Sequence, residues 1–317
     1  MSPDTASGSI PRRPFGRHAD MVSILGLGGY HLGKIESAAE AVRIVHEAID
    51  AGINFLDTAD IYGDTQSESF LGEVLRGRRD QVVLATKFGM KVDEQRQGAR
   101  PAYVRAALDD SLKRLQTDRI DLYQLHQPDP SVPIADTLGA LDEAVRAGKV
   151  REIGCSNFSA AQLREAEAAV RDGAARFVSV QNEYSLLKRD PEAEVLPECE
   201  RLGLAFLPYF PLASGLLTGK YRRGRTTPEG ARIQAGERFG DLLSAHNLDA
   251  VEALVAFAEA RHHSLLELAF SWLLSHRPVA SVIAGATSPE QIAANAKAAT
   301  WRLTPADLAE IDAIVRP

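Results

Sequence analysis

The chain has 317 residues, 25% of them charged, with a formal net charge of −7. That length suits one large domain with a substantial core, and an α/β barrel commonly takes about 250 residues or more. Acids and bases are interspersed with no long basic run, which argues against nucleic acid as a partner, and no apolar stretch approaches the roughly 20 residues of a membrane helix.

The start carries an Arg12-Arg13 pair that could suggest twin-arginine export, but His18 and Asp20 interrupt the stretch after it and no small-residue cleavage site is visible. Residues 1–18 are expected to form a flexible tail, and 19–317 a single barrel domain. Short β-rich runs then alternate with longer amphipathic stretches. Residues 22–28 (VSILGLG) precede a helix-like 37–52, 53–59 (INFLDTA) precedes 67–79, and 82–88 (VVLATKF) precedes 101–117. The pattern continues with 120–126 before 134–149, 150–157 before 159–173, and 177–185 before 192–203. Residues 204–212 lead into a long loop and the helix 248–263; a further helical stretch, 265–276, precedes the last strand, 279–286, and the helix 288–300. Gly52, Gly148, Gly173 and Gly203 mark helix ends, and Ser159, Ser288 and Thr304 mark starts. About eight such units predict an α/β fold of the (β/α)8 TIM-barrel type, an open doubly wound sheet being the alternative.

In such a barrel the active site forms where strands end, so polar residues at those ends are candidates. Asp57, Lys87, His126, Asn157 and Gln181 all fall there, with Tyr62 just beyond the second strand. Each alone has an ordinary reading: a capping acid, a rim lysine, a core histidine, a packed ring. Together on one rim they suit carbonyl reduction by hydride transfer. A phenol is a poor acid at neutrality, and an adjacent ammonium is expected to bring its pKa down. Lys87 would supply that charge, Asp57 would hold Lys87, and a neutral His126 would orient the substrate oxygen beside Tyr62. The hydride must come from a cofactor. Cys155 and Cys199 are the only cysteines and form no CxxC pair, so neither a disulfide framework nor a zinc site is expected, and a reducing, cytoplasmic setting fits.

The segments FLDTADIYG, ATKFG and YQLHQPDP, taken with the barrel pattern, resemble the aldo-keto reductase family over nearly the whole chain. The resemblance implies NADPH bound in an extended pose and a catalytic tetrad of Asp57, Tyr62, Lys87 and His126. It implies that Gly29 and Tyr30 of GLGGY lie beneath the nicotinamide, that Ser156 and Asn157 with Gln181 bind its carboxamide, and that Tyr209 stacks on its ring. It further implies a pyrophosphate cradle around Leu212, Ser214 and Leu217 with Lys220 nearby, and adenosine-phosphate contacts from Thr287, Gln291 and Asn295. Many family members carry an arginine where this chain has Gln291 and a glutamate where it has Ala294, so NADP(H) is expected with NAD(H) possible; Lys220 and Arg232 could serve the 2′-phosphate instead.

Tyr30, His31, Phe88, Phe158 and Tyr184 are candidate walls of an open substrate pocket for aldehydes, ketones or the apolar face of a sugar, because the sequence ends soon after its last helix. The expected partner is a small-molecule carbonyl or sugar, in either reaction direction; the sequence leaves the oligomeric state open. GLGGYHLG lacks the third glycine of a dinucleotide fingerprint, and a metal-dependent hydrolase using Asp57, Asp60 and His126 lacks any clustered ligand pair. The remaining alternative is an NADP(H)-binding sensor or regulatory subunit like the potassium-channel β subunits.

Overall fold

The computed structural model describes residues 10–17, 20–35, 37–222 and 242–315. A short antiparallel hairpin comes first, β1 (Arg12–Phe15) paired with β2 (Asp20–Ser23). Eight parallel strands come after it: β3 (Leu25–Gly28), β4 (Phe55–Asp57), β5 (Val83–Phe88), β6 (Ile120–Leu125), β7 (Val150–Ser156), β8 (Phe177–Glu183), β9 (Ala205–Tyr209) and β10 (Val282–Ala284). Their order is β10-β3-β4-β5-β6-β7-β8-β9. The Phe206↔Val279 bridge, with the Phe206 N–H given to Pro278 O at 2.7 Å, joins the two ends. Helices α1 (Ala38–Asp50), α2 (Gln66–Val74), α3 (Pro101–Arg114), α4 (Ile134–Arg146), α5 (Ala160–Ala168) and α6 (Val195–Leu202) alternate with the strands. The wall is completed by α7 (Ala245–Glu259), α8 (Leu265–Ser275), α9 (Pro289–Ala298) and α10 (Pro305–Val315). This is the expected (β/α)8 barrel, and the open doubly wound sheet is excluded.

Local chemistry sets the element ends. Ser159 caps α5 in a capping box with Gln162, and Ser288 accepts the Gln291 N–H at the start of α9. Gly203, at φ +69°, ends α6 by returning its N–H to Cys199 O, a conformation that costs a side-chain-bearing residue energy. Strand β6 is buried along its whole length, because its outward face meets helices and its inward face meets the other strands.

Strand alternation sorts side chains into two cores. Outward residues such as Leu56, Leu84, Tyr123 and Ile153 pack under the helices. Inward residues Phe55, Ala85, Leu122, Leu207 and Ile283 fill the lower barrel together with Phe15 and Val22 of the hairpin. The last residues of the expected tail are therefore structural: Arg12–Phe15 form β1, and Phe15 is 3% exposed with its ring 5.7 Å from that of Phe55. This hairpin seals the N-terminal mouth of the barrel with apolar side chains. Arg13 fastens it by donating to Leu274 O at 2.8 Å and to Val279 O.

Phe15→Ala is expected to lower unfolding stability by about 3–5 kcal/mol by opening a cavity at this mouth. Denaturant unfolding checks this, and activity per folded molecule is expected to be unchanged, since the catalytic candidates lie at the opposite end.

Candidate active site

Strand register brings the polar candidates together above the apolar layer. Gly28, Asp57 and Ala85 are paired across β3, β4 and β5, while Lys87, Gln124 and Gly154 are paired across β5, β6 and β7. Asp57 and Lys87 therefore both point inward at the C-terminal end. Lys87 Nζ donates to Asp57 Oδ2 at 2.6 Å, to Thr58 O at 2.9 Å and to the Tyr62 hydroxyl at 3.4 Å. Lys87 is 0% and Asp57 2% exposed, so this ion pair is desolvated. Gln124 Nε2 and Gln181 Nε2 donate to the other carboxylate oxygen at 3.1 and 2.9 Å. Removing one partner of such a pair leaves a buried charge and costs about 3–5 kcal/mol.

His126 ends β6 with its backbone N–H on Phe88 O at 2.8 Å, and its ring meets that of Tyr62 edge-on at 5.8 Å. Burial, seconded by the charge of Lys87, pushes its pKa well below the ordinary imidazole value, so His126 is neutral at pH 7. Its Nδ1 is buried without a hydrogen-bond partner among the described residues. Tyr62 departs from expectation: its pKa is raised, not lowered. Burial outweighs the pull of Lys87, and the Asp57 charge adds to the rise, because the phenol faces an ion pair rather than a lone ammonium. For Lys87, burial opposes the charge, but Asp57 and Tyr62 outweigh it and its pKa is raised.

The loop carrying Tyr62 is held by contacts that motif reading did not single out. The Asp60 N–H bonds Lys87 O at 3.0 Å, and the Ser67 N–H bonds Tyr62 O at 3.2 Å. Gly33 and Gly63 touch backbone to backbone: a Cβ on Gly33 would lie 2.8 Å from Tyr62 O, and one on Gly63, at φ +59°, would overlap the Gly33 carbonyl. Behind the loop, Asp60 is 2% exposed and its Oδ1 has no hydrogen-bond partner among the described residues. Glu68 lies close by, bonded to Thr86 Oγ1 at 2.6 Å and to Arg114 Nε at 2.7 Å. Burial, followed by the Glu68 charge, raises the Asp60 pKa from 3.8 to about 7, with Arg114 and Tyr103 opposing.

The expected cofactor residues fall into three groups. The Gly29 N–H bonds Asp57 O at 2.6 Å, and a Cβ there would meet Ser67 Oγ at 2.9 Å; Tyr30, 39% exposed, stands edge-on to Tyr62 at 5.4 Å. Asn157, at φ +62°, donates from Nδ2 to His126 O at 3.0 Å and accepts the Tyr209 hydroxyl at 2.8 Å. Ser156 Oγ donates to Gln181 O at 2.7 Å. Gln181 itself is turned inward: with its amide on Asp57 and 2% exposure, it serves the Asp57 carboxylate.

After β9, Phe210, Ala213, Ser214 and Gly215 all take positive φ, producing a tight turn, and the Lys220 side chain lies over Gly215, whose added Cβ would meet Lys220 Nζ at 3.2 Å. Leu217 departs from its expected part in a cradle, since its side chain is fully buried and its N–H is closed on Leu212 O at 3.1 Å. At α9, Gln291 Oε1 accepts the Thr287 N–H at 3.0 Å, and Asn295 is 8% exposed on the same helix. Arg232 lies outside the described residues.

The expected substrate wall is largely corrected. Phe88 is fully buried and stacks on Tyr123 at 4.7 Å, Phe158 packs edge-on against Phe177, and Tyr184 is fully buried with its hydroxyl on Glu192 at 2.9 Å. All three belong to the buried core. Phe88 comes directly after inward Lys87 and so points to the helices, by the period of two. Tyr30 and His31 remain at the rim, half-buried to exposed.

Asp60→Asn is expected to stabilise the fold above neutrality. Between 3.8 and about 7 the folded chain holds a proton at Asp60 that the unfolded chain releases, so stability falls as pH rises through that window. The variant is therefore expected to match the natural chain near pH 4 and exceed it near pH 8 by up to about 4 kcal/mol, read by urea unfolding at both values.

Comparison with known proteins gives the chain its family. The glycerol dehydrogenase AKR11B4 from Gluconobacter oxydans is similar in structure, with a TM-score of 0.84 and 31% identity over 98% of this chain and 96% of that one. The model of the aldo/keto reductase family matches residues 24–316. The chain thus belongs to the aldo/keto reductase family of oxidoreductases.

Proposed function

We propose that this protein is an NADP(H)-dependent enzyme that reduces aldehydes or ketones, or in reverse oxidises sugars and small polyols, with Tyr62 moving the proton. The observation that carries this reading is Lys87 Nζ held between the Asp57 carboxylate and the Tyr62 hydroxyl, beside a neutral His126. The name of the similar glycerol dehydrogenase favours a small polyol or the matching carbonyl as substrate.

A bound nicotinamide supplies the hydride in reduction and accepts it in oxidation. Tyr62 would give its hydroxyl proton to the carbonyl oxygen, balancing the negative charge that reduction leaves there. Lys87 stabilises the resulting phenolate, and Asp57 keeps that ammonium charged and fixed. His126, neutral, has one ring N–H with which to orient the substrate oxygen. Asn157 and Tyr209, joined by a hydrogen bond at the half-open rim, suit a carboxamide and a flat ring face; the positive-φ turn of residues 210–215 with Lys220 suits a pyrophosphate. Among the described residues the donors proposed for a 2′-phosphate are Lys220 and the amide of Gln291, with no arginine fork, so NAD(H) stands beside NADP(H) as a second possibility.

Tyr62→Phe is expected to cut turnover by roughly 10²–10⁴-fold with cofactor affinity kept, measured by NADPH oxidation over a panel of aldehydes, ketones and polyol-derived carbonyls. Unchanged turnover removes Tyr62 from the proton-transfer role. Tight cofactor binding with no turnover on any substrate favours a sensor. Because Tyr62 is raised and His126 lowered, the reduction rate is expected to show no break from either group at the ordinary imidazole value of about 6.5 or the ordinary phenol value of about 10. Side-by-side titration of NADPH and NADH decides the cofactor preference, and equal affinities mean there is no phosphate site.

A further inference from the structure

At the end of the barrel opposite the tetrad, a cleft of about 520 Å³ opens between the β1–β2 hairpin and the starts of β8 and β9. Four arginines line it: Arg13, Arg17, Arg176 and Arg277; the one acid among the lining residues is Glu200. This inverts the sign of the whole chain, which carries −7. Arg13 spends its guanidinium on two neutral carbonyls, Leu274 O and Val279 O, and has no carboxylate partner among the described residues. Burial pushes its pKa down, as for a cation without a counter-charge. Arg277 is exposed and likewise has no ion pair among the described residues. Arg17 and Arg176 lean on Glu152 at 3.7 Å and Glu167 at 3.1 Å, neither of which lines the cleft. Phe177, Leu204 and Val279 give it an apolar floor.

We propose that this cleft is a binding site for a small organic phosphate, separate from the catalytic rim. Guanidinium forks match phosphate oxygens in geometry and charge, and two guanidiniums without acids plus two more at the wall fit a dianion better than a single carboxylate. The apolar floor suits the organic part. The volume lies within the roughly 300–1,000 Å³ usual for small-molecule sites, and a cleft of that size admits no polymer duplex.

The test uses ribose 5-phosphate as probe, titrated calorimetrically into the full chain at low and high salt. The expected result is one-to-one binding that weakens with salt, falls roughly tenfold or more in Arg277→Ala and in Arg17→Ala, and is unaffected by Lys220→Ala at the catalytic rim or Arg105→Ala on α3. Both cleft arginines are exposed, so unchanged melting temperatures are expected to show that the variants fold. Binding absent at millimolar probe overturns the proposal. So does a loss shared by Lys220→Ala, which puts the probe at the other end, or by Arg105→Ala, which makes the attraction diffuse.

Discussion

One fully buried ammonium governs the upper half of this barrel. Desolvating Lys87 costs several kcal/mol, and the charge persists because each of its three donors has an acceptor: Asp57 Oδ2, Thr58 O and the Tyr62 hydroxyl. Asp57 needs its own second oxygen satisfied, which recruits Gln124 from β6 and Gln181 from β8. The polar interior is thus organised from one charge outward. The apolar layer of Phe55, Leu122 and Leu207 lies beneath it and keeps water out from below.

The same charge explains why the Tyr62 loop is so tightly determined. The Tyr62 hydroxyl meets Lys87 Nζ only at 3.4 Å, too long a contact to fix the loop by itself. The backbone fixes it: Asp60 is bonded to Lys87 O, Ser67 to Tyr62 O, and Gly33 lies against Gly63 where no side chain fits. Behind it, Asp60 and Glu68 share a wall with the cation Arg114, and burial with the Glu68 charge makes Asp60 hard to ionise. Its deprotonation near neutrality loads charge into the wall that supports the candidate proton donor.

The two ends of the barrel are electrostatic opposites in construction. At the C-terminal rim, charges are paired and neutralised within the interior. At the N-terminal mouth, the hairpin plugs the barrel with Phe15 and Val22 while arginines outnumber acids around the cleft beside it. This chain closes one mouth of the barrel with apolar side chains and gathers its polar candidates at the other.

Strand and helix alternation, the glycine and serine boundaries, and the rim positions of Asp57, Lys87 and His126 were legible in the sequence, because they depend on local periodicity and on strand ends. Facing was not. In strands buried on both sides, hydrophobicity no longer distinguishes inward from outward, so Phe88 beside Lys87 reads as a pocket wall until the pleat turns it to the helices. Phe158 and Tyr184, just beyond β7 and β8, turn into the core through contacts made by distant segments, and Gln181 reads as a rim donor until the barrel closes and Asp57 claims its amide. The docking of Phe15 on Phe55, the contact of Gly33 with Gly63, and the shifts of Tyr62 and Asp60 join segments distant in sequence or depend on burial. Sequence alone determined which polar residues stand at or near the strand ends. Tertiary structure decided their neighbours and solvent exposure, and with them which groups are charged, since burial and three-dimensional contact set the energy of a charge.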